Sequence, residues 1–227
     1  MNGKMTAAVL YGKEDVKIEK VPIPHVGDGE VLVKVQVALT CGTDLKVYQR
    51  GYHARMIVPP ALFGHELAGV IDQIGPGVRG FKKGMRVVAL NSAPCQMCFY
   101  CSKHQENLCE DLLFNNGAYA EYIKIPRRIV ETNMLAMPPD VSYEEAAMVE
   151  PLACVLRGLH ETRVEIGDTV TVSGGGPIGL MVVQVAKAIG CNVISVVNRN
   201  SQWTAAKQMG AHEVVQITKV QDPCEAV

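Results

Sequence analysis

No apolar run in this sequence reaches the ~18 residues that a membrane-spanning helix needs. The amino terminus, Met1-Asn2-Gly3-Lys4-Met5-Thr6, lacks the apolar core of a signal peptide. There is no block of like charge either: 22 basic and 23 acidic residues are interspersed, and the formal net charge is −1. Proteins that bind nucleic acid or an anionic membrane through charge carry a Lys/Arg cluster, so neither kind of partner is expected. The expected compartment is the cytoplasm. Eight cysteines in a reducing compartment do not read as a disulfide framework; where they bunch, they read as metal ligands.

What is present fits a packed globular protein. The chain has 227 residues, 48% hydrophobic and 20% charged, enough for one large domain or two modest ones. The first forty residues read as β. Residues 7–11 are a short apolar run closed by Gly12, and residues 16–21 alternate apolar and polar until Pro22 and Pro24. Residues 31–37 alternate again after the Gly27-Asp28-Gly29 turn, so an antiparallel, barrel-like opening is expected. Cys41-Gly42-Thr43-Asp44 follows, with Thr43 or Asp44 positioned to cap a short helix over residues 45–48. Next comes Gly64-His65-Glu66-Leu67-Ala68-Gly69, ahead of a strand-like run over 70–74. His and Glu both ligate zinc. An isolated His-Glu pair is weak evidence, and an isolated Cys41 is most often a small buried hydrophobe, though the end of a strand is a common place to hold a site.

The most specific local pattern is Cys95-x2-Cys98-x2-Cys101-x7-Cys109. Four thiolates at that spacing can close an all-cysteine tetrahedral zinc site. With every corner taken by protein, such a zinc is structural. An iron–sulfur cluster is the alternative.

Residues 117–125 read as a strand ending at Pro126. Ser142-Tyr143-Glu144-Glu145 is a Ser-x-x-Glu capping box that opens a helix. Pro151 disfavours helix for the residue before it, so that helix should end near Glu150, and Pro151 can start the next. From Gly167 the pattern becomes β-α-β-α-β: strands over 168–173, 192–197 and 213–217, helices over 180–189 and 201–209. Gly174-Gly175-Gly176-Pro177-Ile178-Gly179 fits G-x-G-x-x-G at the first strand-to-helix turn. A bare turn and a helix N-terminus offer N–H donors and a positive dipole end to a pyrophosphate. At the end of the second strand, Val197-Asn198-Arg199-Asn200 carries no acid to bind a ribose 2′-hydroxyl. Arg199 suits a 2′-phosphate, which favours NADP over NAD.

Taken in order, Cys41-Gly-Thr-Asp, Gly64-His-Glu-x-x-Gly69, the cysteine quartet, Glu150-Pro-Leu-Ala and the glycine turn resemble the zinc-containing medium-chain alcohol/polyol dehydrogenases, including sorbitol and threonine 3-dehydrogenases. The resemblance covers nearly the whole chain. It implies a mixed α/β fold, with a GroES-like β-rich catalytic domain over 1–152 and a partial Rossmann sheet over 153–227. It implies two zinc ions. One would be catalytic, on Cys41, His65 and an acidic third ligand matching Glu150, with Glu66 able to approach it. The other would be structural, on Cys95, Cys98, Cys101 and Cys109. Cys154 is then a core residue. The zinc would lower the pKa of a bound alcohol, hydride would pass to NAD(P), and Thr43 would carry the proton away. Lys46 stands where many members have the next relay histidine. Gly174, Gly176, Pro177, Ile178, Gly179, Asn198 and Arg199 would hold the cofactor. The substrate would be a small alcohol, polyol or hydroxy amino acid, and the full-length protein a homo-oligomer.

The sequence stops after one of the two mononucleotide-binding halves of a dinucleotide fold. A truncated or split enzyme is therefore expected, with apolar faces near Val170, Val172 and Ile178 exposed. The competing reading is a non-catalytic zinc-binding chain that needs a partner or the missing C-terminal part. A zinc-ribbon nucleic-acid binder is disfavoured by the lack of a basic patch, and a zinc-free quinone reductase would have no use for the quartet or His65. His25, His53, His104, His160 and His212 are expected at the surface or in packing, Cys191 and Cys224 as unliganded thiols, and Trp203 in helix packing.

Overall fold

The computed structural model describes residues 3–219 and 222. The chain is mixed α/β, and it divides into two compact units, Met1–Glu150 and Pro151–Val227.

The first unit is β-rich. In order it contains β1 (Lys4–Gly12), β2 (Asp15–Pro22), β3 (Val31–Leu39), α1 (Gly42–Arg50), β4 (Ala61–Leu62), β5 (Glu66–Ile74), β6 (Arg86–Ala89), β7 (Ser92–Ala93), α2 (Phe99–Ser102), β8 (Leu113–Phe114), β9 (Tyr122–Ile125), α3 (Arg127–Thr132), β10 (Met134–Ala136) and α4 (Tyr143–Ala147). The sheets run β2-β1-β4, β10-β6-β5-β3-β9 and β7-β8, and every strand pair in them is antiparallel. The core of the larger sheet is Val31 and Val33 of β3, Leu67 and Ile71 of β5, Val87 of β6, Ile123 and Ile125 of β9, and Ile129 of α3. Each such side chain contributes about 1.5–3 kcal/mol on burial.

That sheet sets the geometry of the site through its register. Leu39, the last residue of β3, pairs with Glu66, the first of β5. In an antiparallel pair, chain running past the end of one strand lies beside chain running into its partner. The Cys41 segment and the His65-Glu66 segment are therefore neighbours by construction.

Two local expectations are corrected. Helix α1 begins at Gly42, not Leu45, and its N-cap is Cys41 rather than Thr43 or Asp44. The Cys41 sulfur accepts from the Thr43 N–H, and Asp44, at the third helical position, reaches back to the Cys41 N–H. The break expected at Glu150 falls earlier. The Ser142–Glu145 capping box is present, α4 ends with Met148 as its C-cap, and α5 (Val149–Glu161) already contains Glu150 and Pro151 in its first turn. Proline lacks an N–H that the first turn does not use, so it does not force the break.

The second unit holds β11 (Thr169–Ser173), α6 (Pro177–Ile189), β12 (Asn192–Val197), α7 (Asn200–Gln208) and β13 (Glu213–Gln216). The strands run β11-β12-β13, all parallel. Val172, Val183, Ala186, Val193 and Ala206 form its core. Of the three positions expected to be exposed, only Ile178 is, at 50%; Val172 is buried in that core and Val170 packs against it. No helix among the described residues is long and apolar enough to cross a membrane.

Candidate functional site

Ligand atoms of Cys41, His65 and Glu66 all lie within 4.8 Å of one another. His65 and Glu66 are buried and Cys41 is half-buried. Glu150 is not one of that mutually close trio, but it is near enough for its charge to act on His65.

The imidazole is held by a chain of contacts. His65 Nδ1 lies 3.1 Å from Asp44 Oδ1. Asp44 Oδ2 accepts the Tyr119 hydroxyl at 2.7 Å and the Cys41 N–H at 2.9 Å. The Tyr119 ring lies where a Cβ on Gly64 would be, 2.6 Å from its atoms, so only glycine fits before His65. With Nδ1 occupied by the carboxylate, Nε2 is the nitrogen left for a metal, the usual arrangement behind a ligating histidine. The sequence marks Asp44 only as a candidate cap and does not single out Tyr119. The available signal was the Cys41-x-x-Asp44 spacing, which matches an N-cap and its third helical position. Nothing local points to Tyr119, 75 residues from Asp44.

The electrostatics agree with a cation site. Burial opposes charge on His65, but the hydrogen bond and charge of Asp44, helped by Cys41 and Glu150, outweigh it and push its pKa up to about 9. Burial works the same way on Asp44, yet hydrogen bonds to His65 and Tyr119 hold its carboxyl below the usual range. Burial raises both Glu66 and Glu150, with the His65 charge opposing. A dication among these groups would favour the ionised carboxylates and displace the proton from His65 Nε2, leaving the one on Nδ1.

This arrangement predicts a pH dependence. In zinc-stripped protein the folded pKa of His65 lies above the unfolded value of about 6.5. The stabilisation from its pairing with Asp44 is then fully present below pH ~6.5 and lost as pH rises through about 9. Denaturant midpoints of the chelator-treated protein should fall across that window, and Asp44→Asn should flatten the fall. An unchanged slope in the variant would refute the pairing.

The four cysteines form the second cluster. The Sγ atoms of Cys95, Cys98, Cys101 and Cys109 lie within 4.8 Å of one another, with Cys98 3.5 Å from Cys101 and 3.9 Å from Cys109. Tetrahedral sulfurs about 2.3 Å from zinc would be about 3.8 Å apart, so the donor set fits that ion. All four are free thiols. Backbone N–H groups of Cys101 and Glu110 pull the Cys98 thiol down to about 6, while burial and its sulfur neighbours push Cys101 up to about 12. Without a cation the cluster resists holding several thiolates at once.

The remaining predicted residues are placed as follows. Thr43 is half-buried beside Cys41, its N–H 3.4 Å from the sulfur, and Lys46 is exposed. Gly176 is the N-cap of α6, with open space where a side chain would stand, and Pro177 and Ile178 open the helix. Gly179 cannot carry a Cβ, which would fall 1.9 Å from the Gly174 carbonyl oxygen. Asn198 and Arg199 are exposed at the turn between β12 and α7. Cys154 is exposed rather than core. His53 and His212 each accept backbone N–H groups through Nδ1. Cys224 lies outside the described residues.

Comparison with known proteins adds two family matches. Residues 27–139 match the pattern "Alcohol dehydrogenase GroES-like domain", and residues 177–227 match "Zinc-binding dehydrogenase". Among curated relatives, sorbitol dehydrogenase of Bacillus subtilis (strain 168) is 36% identical over 98% of this chain and 64% of its own length. L-threonine 3-dehydrogenase of Bacillus licheniformis is 35% identical over 100% of this chain and 66% of its own. Among solved structures, a putative zinc-binding dehydrogenase from Sinorhizobium meliloti 1021 bound to NADP superposes with a TM-score of 0.88 at 30% identity, covering 96% of this chain and 64% of that one. The chain thus spans somewhat less than two-thirds of the length of these relatives.

Proposed function

Because this chain belongs to the zinc-containing medium-chain dehydrogenases, we propose that it serves an oxidoreductase that moves a hydride between a small alcohol or polyol and NAD(P). The observation that carries this is the convergence of a thiol, an imidazole and a carboxylate within 4.8 Å, in a chain that also has a glycine turn opening a helix. Cys41, His65 and Glu66 would hold a zinc ion, with Glu150 beside them as a second carboxylate. When bound, the zinc supplies a Lewis acid that acidifies an alcohol, and the nicotinamide supplies the hydride acceptor.

The chain's own residues do the rest. Asp44 keeps the His65 proton on Nδ1, and Tyr119 keeps Asp44 in place. Thr43, next to Cys41 and only half-buried, takes the hydroxyl proton toward solvent; Lys46, exposed one helical turn on, marks the way out. The N–H groups at the start of α6 would hold the cofactor's pyrophosphate, and the open space at Gly176 would let it approach. Arg199 gives a preference for the 2′-phosphate of NADP. A second zinc, on the four cysteines, is structural, since no corner is left for substrate. A reducing compartment such as the cytoplasm would keep the four clustered cysteines available as thiolate ligands.

The test is to load the protein with zinc and follow NAD(P)H formation with sorbitol, threonine and 2,3-butanediol. Turnover with any of them supports the proposal. A zinc-loaded chain that binds cofactor but turns over none of these would favour a non-catalytic zinc-binding chain.

A further inference from the structure

The turn after β12 is fastened from two sides by glutamine side chains. The Gln202 Oε1 atom accepts the N–H of Asn198 at 3.2 Å and that of Arg199 at 3.1 Å. From the far side, Gln216 Nε2 donates to the Asn198 carbonyl at 3.3 Å and to Thr218 Oγ1 at 3.1 Å. Thr218 Oγ1 itself donates to that carbonyl at 3.4 Å. Gln216 is only 8% exposed, so its amide is a built-in strut and not a surface contact. Gln202 also reaches the glycine turn, since a Cβ on Gly175 would come within 2.8 Å of the Gln202 Cβ. One side chain therefore ties the pyrophosphate turn to the turn at the end of β12.

The fastening has a chemical consequence. The N–H groups of Asn198 and Arg199 are already used, so the turn cannot offer them to a phosphate. What it presents outward is the Arg199 side chain, on a backbone held still. We propose that Gln202 and Gln216 are positioning residues that fix the Asn198–Arg199 turn and thereby set the choice between a 2′-phosphate and a free 2′-hydroxyl on the cofactor's adenosine ribose. This rests on the dinucleotide-binding reading given above.

The test uses binding, not turnover. Trp203, the sole tryptophan of the chain, follows Gln202 directly and is 40% exposed, so its fluorescence reports ligands at this turn. The probes are adenosine diphosphate ribose and its 2′-phosphate. The parent chain should bind the phosphorylated probe more tightly. Gln202→Ala releases the turn, so Arg199 is no longer carried on a fixed backbone, and should erode that preference by about fivefold, the equivalent of one net hydrogen bond. Gln216→Leu should erode it in the same direction. Gln202→Glu keeps the acceptor but adds a negative charge, so it should weaken the phosphorylated probe alone and reverse the preference. A merely structural role would lower the melting temperature and leave the ratio of the two affinities untouched. An unchanged ratio in Gln202→Ala overturns the inference, even if Gln216→Leu fails to fold. A parent chain that binds neither probe overturns the dinucleotide reading itself, and this inference with it.

Discussion

Cys98→Ser is expected to release the zinc of the four-cysteine cluster and to unfold the lobe around it. The lobe has almost no core of its own: Cys101 and Cys109 are its buried residues, while Met97 is 87% exposed, Phe99 62% and Leu108 50%. Its regular structure is one helical turn, α2, and a 3-10 turn at Glu106–Leu108. A segment that small needs a metal or disulfides to hold a shape. Structural zinc sites in small peptides supply apparent binding energies of about 10–16 kcal/mol, and a zinc on these four sulfurs would contribute to ordering the lobe in the same way. Cys98 is a direct position to test, since its sulfur lies 3.5 Å from that of Cys101 and 3.9 Å from that of Cys109. Hydrogen exchange should show residues 95–109 losing protection while β3 and β5, whose core lies elsewhere, keep theirs. Full protection of the lobe in Cys98→Ser would refute a zinc-held lobe.

The second large effect separates the two carboxylates near His65. Glu66→Ala is expected to leave that site empty at micromolar free zinc, because Glu66 belongs to the close trio with Cys41 and His65 and is 4% exposed. Glu150→Ala is expected to retain the metal with affinity lowered by about 10–100-fold, the usual effect of a partner just outside the ligand set. Both should leave the fold intact, since burial makes each carboxylate a net burden when no cation is present. Equilibrium dialysis with a zinc indicator measures both constants. Should the order reverse, Glu150 would be the third ligand, as the polyol-dehydrogenase resemblance implies.

These two cases also show what a sequence can carry. The four cysteines were legible because their spacing is local: the ligands lie within 15 residues, and turn geometry alone brings them together. The glycine turn was legible for the same reason, and the strands and helices around it fall within a few residues of their expected limits. The site around His65 is non-local. Cys41 and His65 could be suspected from residue type, but Asp44 and Tyr119 act through contacts that depend on the β3–β5 register and on chain far along the sequence. The cap of α1 is not legible because cysteine is an unusual capping residue, although its sulfur can accept a backbone N–H. The helix break falls earlier than Pro151 suggests, because proline is tolerated in a first turn. Gln202 and Gln216 carry no sequence signature, and their role rests on hydrogen bonds that only the folded sheet creates.

The most direct measurement is metal content per chain, by elemental analysis of the purified protein beside His65→Ala and Cys98→Ser. Two zinc ions in the parent, with a different one missing from each variant, are the predicted result. A parent that holds none, or a single ion that survives both substitutions, would contradict the assignment of one open and one closed zinc site.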